Sequence, residues 1–226
     1  MSPSRLRTLT IATALVLGVG FALVFFYAPL EREGFIQKIF YLHVPLAIVA
    51  LVGFMVAAVH AIQHLRTGDQ VHDYRAYVSI HMSVIFGVAV LVTGAIWAKA
   101  QWGVWWEWRE PTLVSFLIVF LLYCTYYPLR FAIPDRDRQG RYASVFAITA
   151  GAFVPLNFLA VRLAEPLIHP RTFSSAGGLP GEMMLTFLVC LVGTVLLWTT
   201  LVVFELSAKR TRADLGRLRR ALAEAT

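Results

Sequence analysis

The sequence predicts an all-α, polytopic integral membrane protein, a six-transmembrane helix bundle forming one membrane domain over residues 1–226. Three observations predict it. The chain is 58% hydrophobic and only 15% charged, whereas soluble domains carry about 25% charged residues. Its apolar residues form long blocks without polar alternation, the pattern of bilayer spans. Six such blocks approach the ~20 residues a helix needs to cross ~30 Å of hydrocarbon, where backbone groups must satisfy one another internally.

The first span, 9–27, follows Arg5 and Arg7 as a secretory signal would. Its apolar core exceeds the ~7–15 residues of a signal h-region and no A-x-A-like site precedes "PLERE", so it reads as a retained span. The second, 39–62, is introduced by "GFIQKIFY", which places Phe35, Ile36, Ile39 and Phe40 on one face as an interfacial helix would. His43 lies at its outer end, and Pro45 lacks an N–H, which is harmless if it falls in the first helical turn. Spans three and four cover 77–98 and 113–129. The fifth, 142–161, contains Pro155 and Asn157, the latter expected to hydrogen-bond between helices. The sixth, 183–204, leads into a basic tail, 205–226. There "AKRTRADLGRLRRALAEAT" sets Leu215, Leu218 and Leu222 at helical spacing between arginines. That tail suits a membrane surface, a partner helix or a plain charged anchor. Cys124 and Cys190 fall inside spans four and six and read as small buried hydrophobes.

Orientation follows the basic residues. Six spans put the N-terminus, loops 63–76 and 130–141 and the tail on one side, with 14 of the 20 Lys and Arg. The other side holds Arg32, Lys38, Lys99, Arg109, Arg162 and Arg171. Acidic residues divide seven to six, so the whole formal charge of +7 lies on the first side. That side, with both termini, is expected to be cytoplasmic. The basic balance reports topology, with no nucleic acid implied.

No Asp, Glu, Lys or Arg occupies the centre of a span, which argues against a pump or charge-coupled transporter. There is no catalytic nucleophile with a base, no phosphate loop and no carboxylate pair, so an enzyme is not expected. His60, His64, His72 and His81 belong to the cytoplasmic side. His60 and His64 share a helical face, yet no third metal ligand is in register. His43 and His169 belong to the other side, together with the loop 99–112. This loop holds "WGVWWEW", four of the chain's six tryptophans. An aromatic belt scatters one or two such residues per helix end, and this cluster exceeds that. Two imidazoles flanking indole rings suit haem: a flat apolar macrocycle to stack, an iron that accepts axial imidazole, and propionates that Lys99, Arg109, Arg162 and Arg171 can neutralise.

These stretches resemble a known family. "WGVWWEW" resembles the tryptophan-rich (WWD) signature shared by CcmC, CcmF and CcsA, the haem-handling proteins of cytochrome c maturation. "KIFYLHVPLA" is similar to the K-I-F-Y-x-H-V-P segment of the CcmC branch, and "IHPRTFS" falls where that branch carries its second periplasmic histidine. Six spans and this length suit CcmC better than its longer relatives. The resemblance implies a haem-binding and haem-delivery protein of the bacterial inner membrane. It would present haem b, transiently and with bis-histidine ligation, to the periplasmic haem chaperone CcmE. Its partners would be the ABC transporter subunits CcmA and CcmB, with CcmD as a further candidate. Carried over, the axial ligands are His43 and His169, and the platform is Trp102, Gly103, Trp105, Trp106 and Trp108. Where the family places an acid directly after the last tryptophan, this chain has Arg109, with Glu110 one step later. Ala164 and Glu165 stand where aromatic residues often precede the second histidine.

Two other classes fit less well. A b-type cytochrome or quinone-linked redox subunit usually buries its haem between histidines deep in a bundle, and a small-solute permease needs polar groups within its spans.

Overall fold

The computed structural model describes residues 3–30, 34–163, 168–169 and 178–224. Six helices run in the order α1 (Pro3–Phe26), α2 (Phe40–Thr67), α3 (Gln70–Trp102), α4 (Pro111–Phe131), α5 (Arg136–Leu163) and α6 (Gly181–Glu224), with a 3-10 helix, Gly34–Ile39, leading into α2. Each of the six contains a stretch long and apolar enough to cross a membrane, so the all-α, six-span expectation is met.

Local chemistry sets the helix ends. Gly68, left-handed at φ 70°, closes α2, and the Asp69 side chain accepts from the Val71 N–H to cap α3. Gly103 closes α3 in the same way at φ 77°, its N–H bonded to the Lys99 carbonyl. A side chain resists both positions, because L-residues rarely adopt φ > 0. Glu110 caps α4, and Pro111 follows at its start, where its missing N–H costs nothing.

Helix α2 is the hub, packed against α3, α5 and α6. Phe54 of α2 stacks on Tyr123 of α4 at 3.9 Å and 4°. The buried Tyr123 hydroxyl donates to the carbonyls of Phe54 and Ala147, tying three helices together at one point. Gly151 of α5 meets α2 so closely that an added Cβ would sit 2.7 Å from the Ala58 methyl. Helix α1 lies mainly against α6, where the hydroxyls of Thr13 and Thr200 meet at 2.8 Å.

At the end that carries both termini, Arg130 grips Asp73 through both guanidinium nitrogens, at 2.7 and 2.6 Å, and also donates to the Tyr126 hydroxyl. Both members of this pair are buried. Burial of two charges is tolerable because both carboxylate oxygens of Asp73 and both terminal nitrogens of Arg130 are hydrogen-bonded.

One condition is not met and one expectation fails. Pro45 lies six residues into α2, beyond the first turn, so the helix forgoes one internal N–H bond close to His43. Asn157 is buried, and its Oδ1 has no hydrogen-bond partner among the described residues, so the inter-helix bond expected of that oxygen is absent there.

Candidate functional site

The last turns of α3, at the end remote from the termini, supply a wall for the first histidine. His43 of α2 places its Nδ1 2.9 Å from the Thr93 hydroxyl. Thr93 has one proton and directs it to the carbonyls of Ala89 and Val90, at 2.7 and 3.2 Å. Its oxygen therefore accepts, and the network assigns the proton of His43 to Nδ1. Nε2 keeps the lone pair, as an imidazole ligand requires. The ring fits because the next residue is a glycine. A Cβ on Gly94 would stand 2.9 Å from His43 Cε1.

One turn further, Trp97 meets Trp102 edge-to-face at 5.0 Å and 84°. His169 completes this group, with its ring centre 6.4 Å from that of Trp97 and 6.2 Å from that of Trp102. The two histidines both meet α3 near its end. The residues joining them run along one helix: Thr93 and Gly94 touch His43, and Trp97 touches His169.

Glu110 secures the second histidine. Its side chain is fully buried. One carboxylate oxygen accepts from the Thr112 N–H at 3.3 Å, capping α4. The other accepts from the N–H groups of Ile168 and His169 at 3.0 and 3.2 Å. Burial alone would raise the Glu110 carboxyl; the Ile168, His169 and Thr112 donors outweigh it and hold the group below the usual carboxylate range. One side chain thus joins the end of the tryptophan loop, the start of α4 and the backbone that carries His169.

The rest of the loop faces outward. Trp106 and Trp108 form a second pair, 5.9 Å apart and inclined by 63°. Trp105 and Trp108 are 60% and 71% exposed. The Trp106 indole N–H is buried without a hydrogen-bond partner among the described residues. Arg109 turns away, its side chain 81% exposed and paired with Glu107 at 3.1 Å, an ion pair that holds the Glu107 carboxyl below its ordinary range. Lys99 spends its ammonium on the Gly103 carbonyl at 2.8 Å.

Residues 1–221 match the family model described as CcmC, heme exporter protein C. The chain belongs to the heme exporter protein C family. It is 30% identical over 193 residues to the heme exporter protein C of Paracoccus denitrificans, a match covering 83% of this chain and 77% of that protein. The Rhodobacter capsulatus protein is 33% identical over 159 residues, covering 70% and 65%. The Escherichia coli protein is 32% identical over 149 residues, covering 66% and 60%.

In this member of the heme exporter protein C family, the tryptophans expected to form one flat shelf divide into two edge-to-face groups. Trp102 sides with His169, while Trp106 pairs with Trp108 and Trp105 stands exposed. Gly103 serves as the αL stop of α3 that lets the loop begin. Of the cations offered for propionates, Arg162 is exposed at the end of α5, and Arg171 lies outside the described residues, as do Arg32, Ala164 and Glu165. Thr93, Gly94 and Trp97 stand outside the motifs legible in the sequence, and only their spacing (i, i+1, i+4) near the end of a span sets them apart. Glu110, a displaced acid in the sequence, binds the His169 backbone.

Proposed function

We propose that this protein binds haem at the end of the bundle remote from its termini and passes it on, as a non-enzymatic haem-handling component of cytochrome c maturation. Family membership supports the haem-handling part of that reading. The observation that carries the site is the convergence of His43 and His169 on Thr93, Gly94, Trp97 and Trp102, with Glu110 binding the second histidine's backbone.

In this reading haem b is the cargo. His43, held with Nε2 unprotonated by Thr93, and His169 supply the two axial nitrogens. Trp102, Trp105, Trp106 and Trp108 offer ring faces and edges to the macrocycle, Gly103 lets the loop turn back, and Arg109 at the rim can exchange Glu107 for a propionate. Exposure of Trp105 and Trp108 suits a site that loads and releases, since a permanent redox haem would be enclosed. The basic residues place the termini in the cytoplasm of a bacterial inner-membrane protein, so the histidines face the periplasm. The recipient is the haem chaperone CcmE, with CcmA, CcmB and CcmD as membrane partners, and ATP hydrolysis falls to them.

The test is the optical spectrum of the purified full chain in nanodiscs loaded with haem. A bis-imidazole spectrum that His43→Ala and His169→Ala each abolish, and His60→Ala does not, is the expected result. Unaltered haem retention in both outer variants overturns the site. Haem that cycles redox state without ever passing to CcmE identifies a cytochrome instead.

A further inference from the structure

We propose that the C-terminal prolongation of α6 is a docking rod for an acidic amphipathic helix of a water-soluble protein on the terminus-bearing face. The argument begins with length. Helix α6 runs unbroken for 44 residues, from Gly181 to Glu224, about 66 Å at ~1.5 Å per residue. The hydrocarbon layer needs less than half of that. The last apolar run ends at Phe204 and the first charge follows at Glu205. Along a continuous axis Leu215 then lies about 16 Å, and Leu218 about 21 Å, beyond Phe204. The headgroup layer is only about 5–8 Å thick, and a tilt of about 20° shortens these reaches by less than a tenth. A helix that lay on the membrane surface would need a sharp bend after Phe204, whereas α6 continues as α-helix through that point with no proline between 205 and 224. Its first emergent turn is also pinned: Lys209 pairs with Glu205 and lies 4.8 Å from the centre of the Tyr77 ring of α3.

The exposed rod has a seam. Ala208, Thr211, Leu215 and Leu218 follow one another at steps of three, four and three, and Leu222 continues at four. This alternation is the a/d repeat that seats a second helix by knobs into holes. Leu215 and Leu218 are 50% and 61% exposed. Charge selects the occupant. Arg212 and Arg219 flank the seam along one edge, seven residues apart. Arg217 is held by Asp214, but Arg210, Arg212, Arg219 and Arg220 enter no ion pair among the described residues. In a parallel pair of two copies, Arg212 and Arg219 would face Ser207 and Asp214 of the other copy, which leaves one acid, already held by Arg217, for two arginines. A helix with aspartates or glutamates beside its own a/d stripe would neutralise them.

The full chain in nanodiscs of mixed zwitterionic and anionic phospholipid tests this. The probe is a synthetic helical peptide with Leu at a and d and Glu at e and g, compared with its Lys counterpart by fluorescence anisotropy. The acidic peptide is expected to bind at least about tenfold tighter, with Leu215→Ala/Leu218→Ala costing about tenfold or more and added salt weakening binding. In parallel, pyrene on an Ala221→Cys variant reports the rod's surroundings. It should show neither quenching by doxyl-labelled lipid nor excimer emission. Lipid quenching makes the tail a membrane-surface helix and overturns the proposal, as does an excimer, which makes it a homodimer seam. Equal binding of both peptides, or binding indifferent to the leucine changes, also sinks it. Haem retention is read on the same samples and should not change, so failure here is distinct from failure of the haem site.

Discussion

Both ends of this bundle gather histidines and aromatic rings, and the two differ in how those groups are tied down. At the terminus-bearing end the groups are satisfied among themselves. Arg130 spans Asp73 and Tyr126 and lies 5.2 Å from the Tyr77 ring centre. His64 is buried with its Nδ1 3.0 Å from the Asp69 carbonyl, and His81 meets the Tyr127 hydroxyl at 3.2 Å. His60, one turn before His64 on α2, contacts Gln63 and His72. At the opposite end two indole rings are more than half exposed, and a buried indole N–H lacks a partner among the described residues. Residue type is therefore a poor guide to a binding site. What separates the two ends is the buried ion pair of Arg130 with Asp73, which has no counterpart at the other end among the described residues.

Breaking the closed end should have the largest effect, and the effect should be on folding. Asp73→Ala leaves the Arg130 guanidinium buried without its carboxylate, a change that costs about 3–5 kcal/mol. Thermal unfolding in detergent should show a strongly lowered midpoint, and what survives should bind haem normally per folded molecule. The open end should respond in the opposite way. His43→Ala removes the imidazole proposed as an axial ligand from a half-buried position, so haem affinity should fall by well over tenfold while the unfolding midpoint barely moves. Parallel losses of stability and haem binding in both variants would erase the distinction between the ends.

The sequence made the helices legible because bilayer spans are written in long apolar runs, and Gly68, Gly103 and Asp69 end or begin helices as their types dictate. It made His43 legible through position in a span and a resemblance. It could not reveal that Thr93 and Gly94 receive the ring, because small residues in an apolar helix look alike until a neighbour packs on them. Nor did it reveal the work of Glu110, whose partners are backbone amides 58 and 59 positions away and carry no side-chain signature. Asn157 misled for the converse reason. Polarity within a span signals a need for a partner without guaranteeing one.

Glu110 sits between the two ends in character: a closed, buried hydrogen-bond hub at the open site. Glu110→Gln retains one oxygen but presents an amide N–H₂ to either Thr112 or the Ile168 and His169 donors. Losing hydrogen bonds to a charged, buried acceptor costs about 1–3 kcal/mol. Part should appear as a lower unfolding midpoint, and part as an approximately tenfold loss of haem affinity with a spectrum shifted toward a single strong axial ligand. The acid dependence has a definite sign. Because the folded carboxyl lies below its ordinary value of about 4.3, Glu110 stabilises the fold above that pH. The contribution fades as pH falls through the lower folded value, and the Gln variant should lack that acid-sensitive component.

The smallest effect sharpens the comparison most. Thr93→Val conserves the shape beside His43 and removes only the hydroxyl that accepts its Nδ1–H. Outer partners of a metal-binding imidazole contribute about tenfold or somewhat more to affinity, and here the helix carbonyls that Thr93 served are already bonded within α3. Folding should therefore be unchanged, haem affinity should drop by about tenfold, and the ferric spectrum should report a less basic histidine. Thr93→Ser, which restores the acceptor, should return both to the parent values. If valine and serine behave alike, the hydroxyl does not set the tautomer, and His43 owes its orientation to the space left by Gly94 alone.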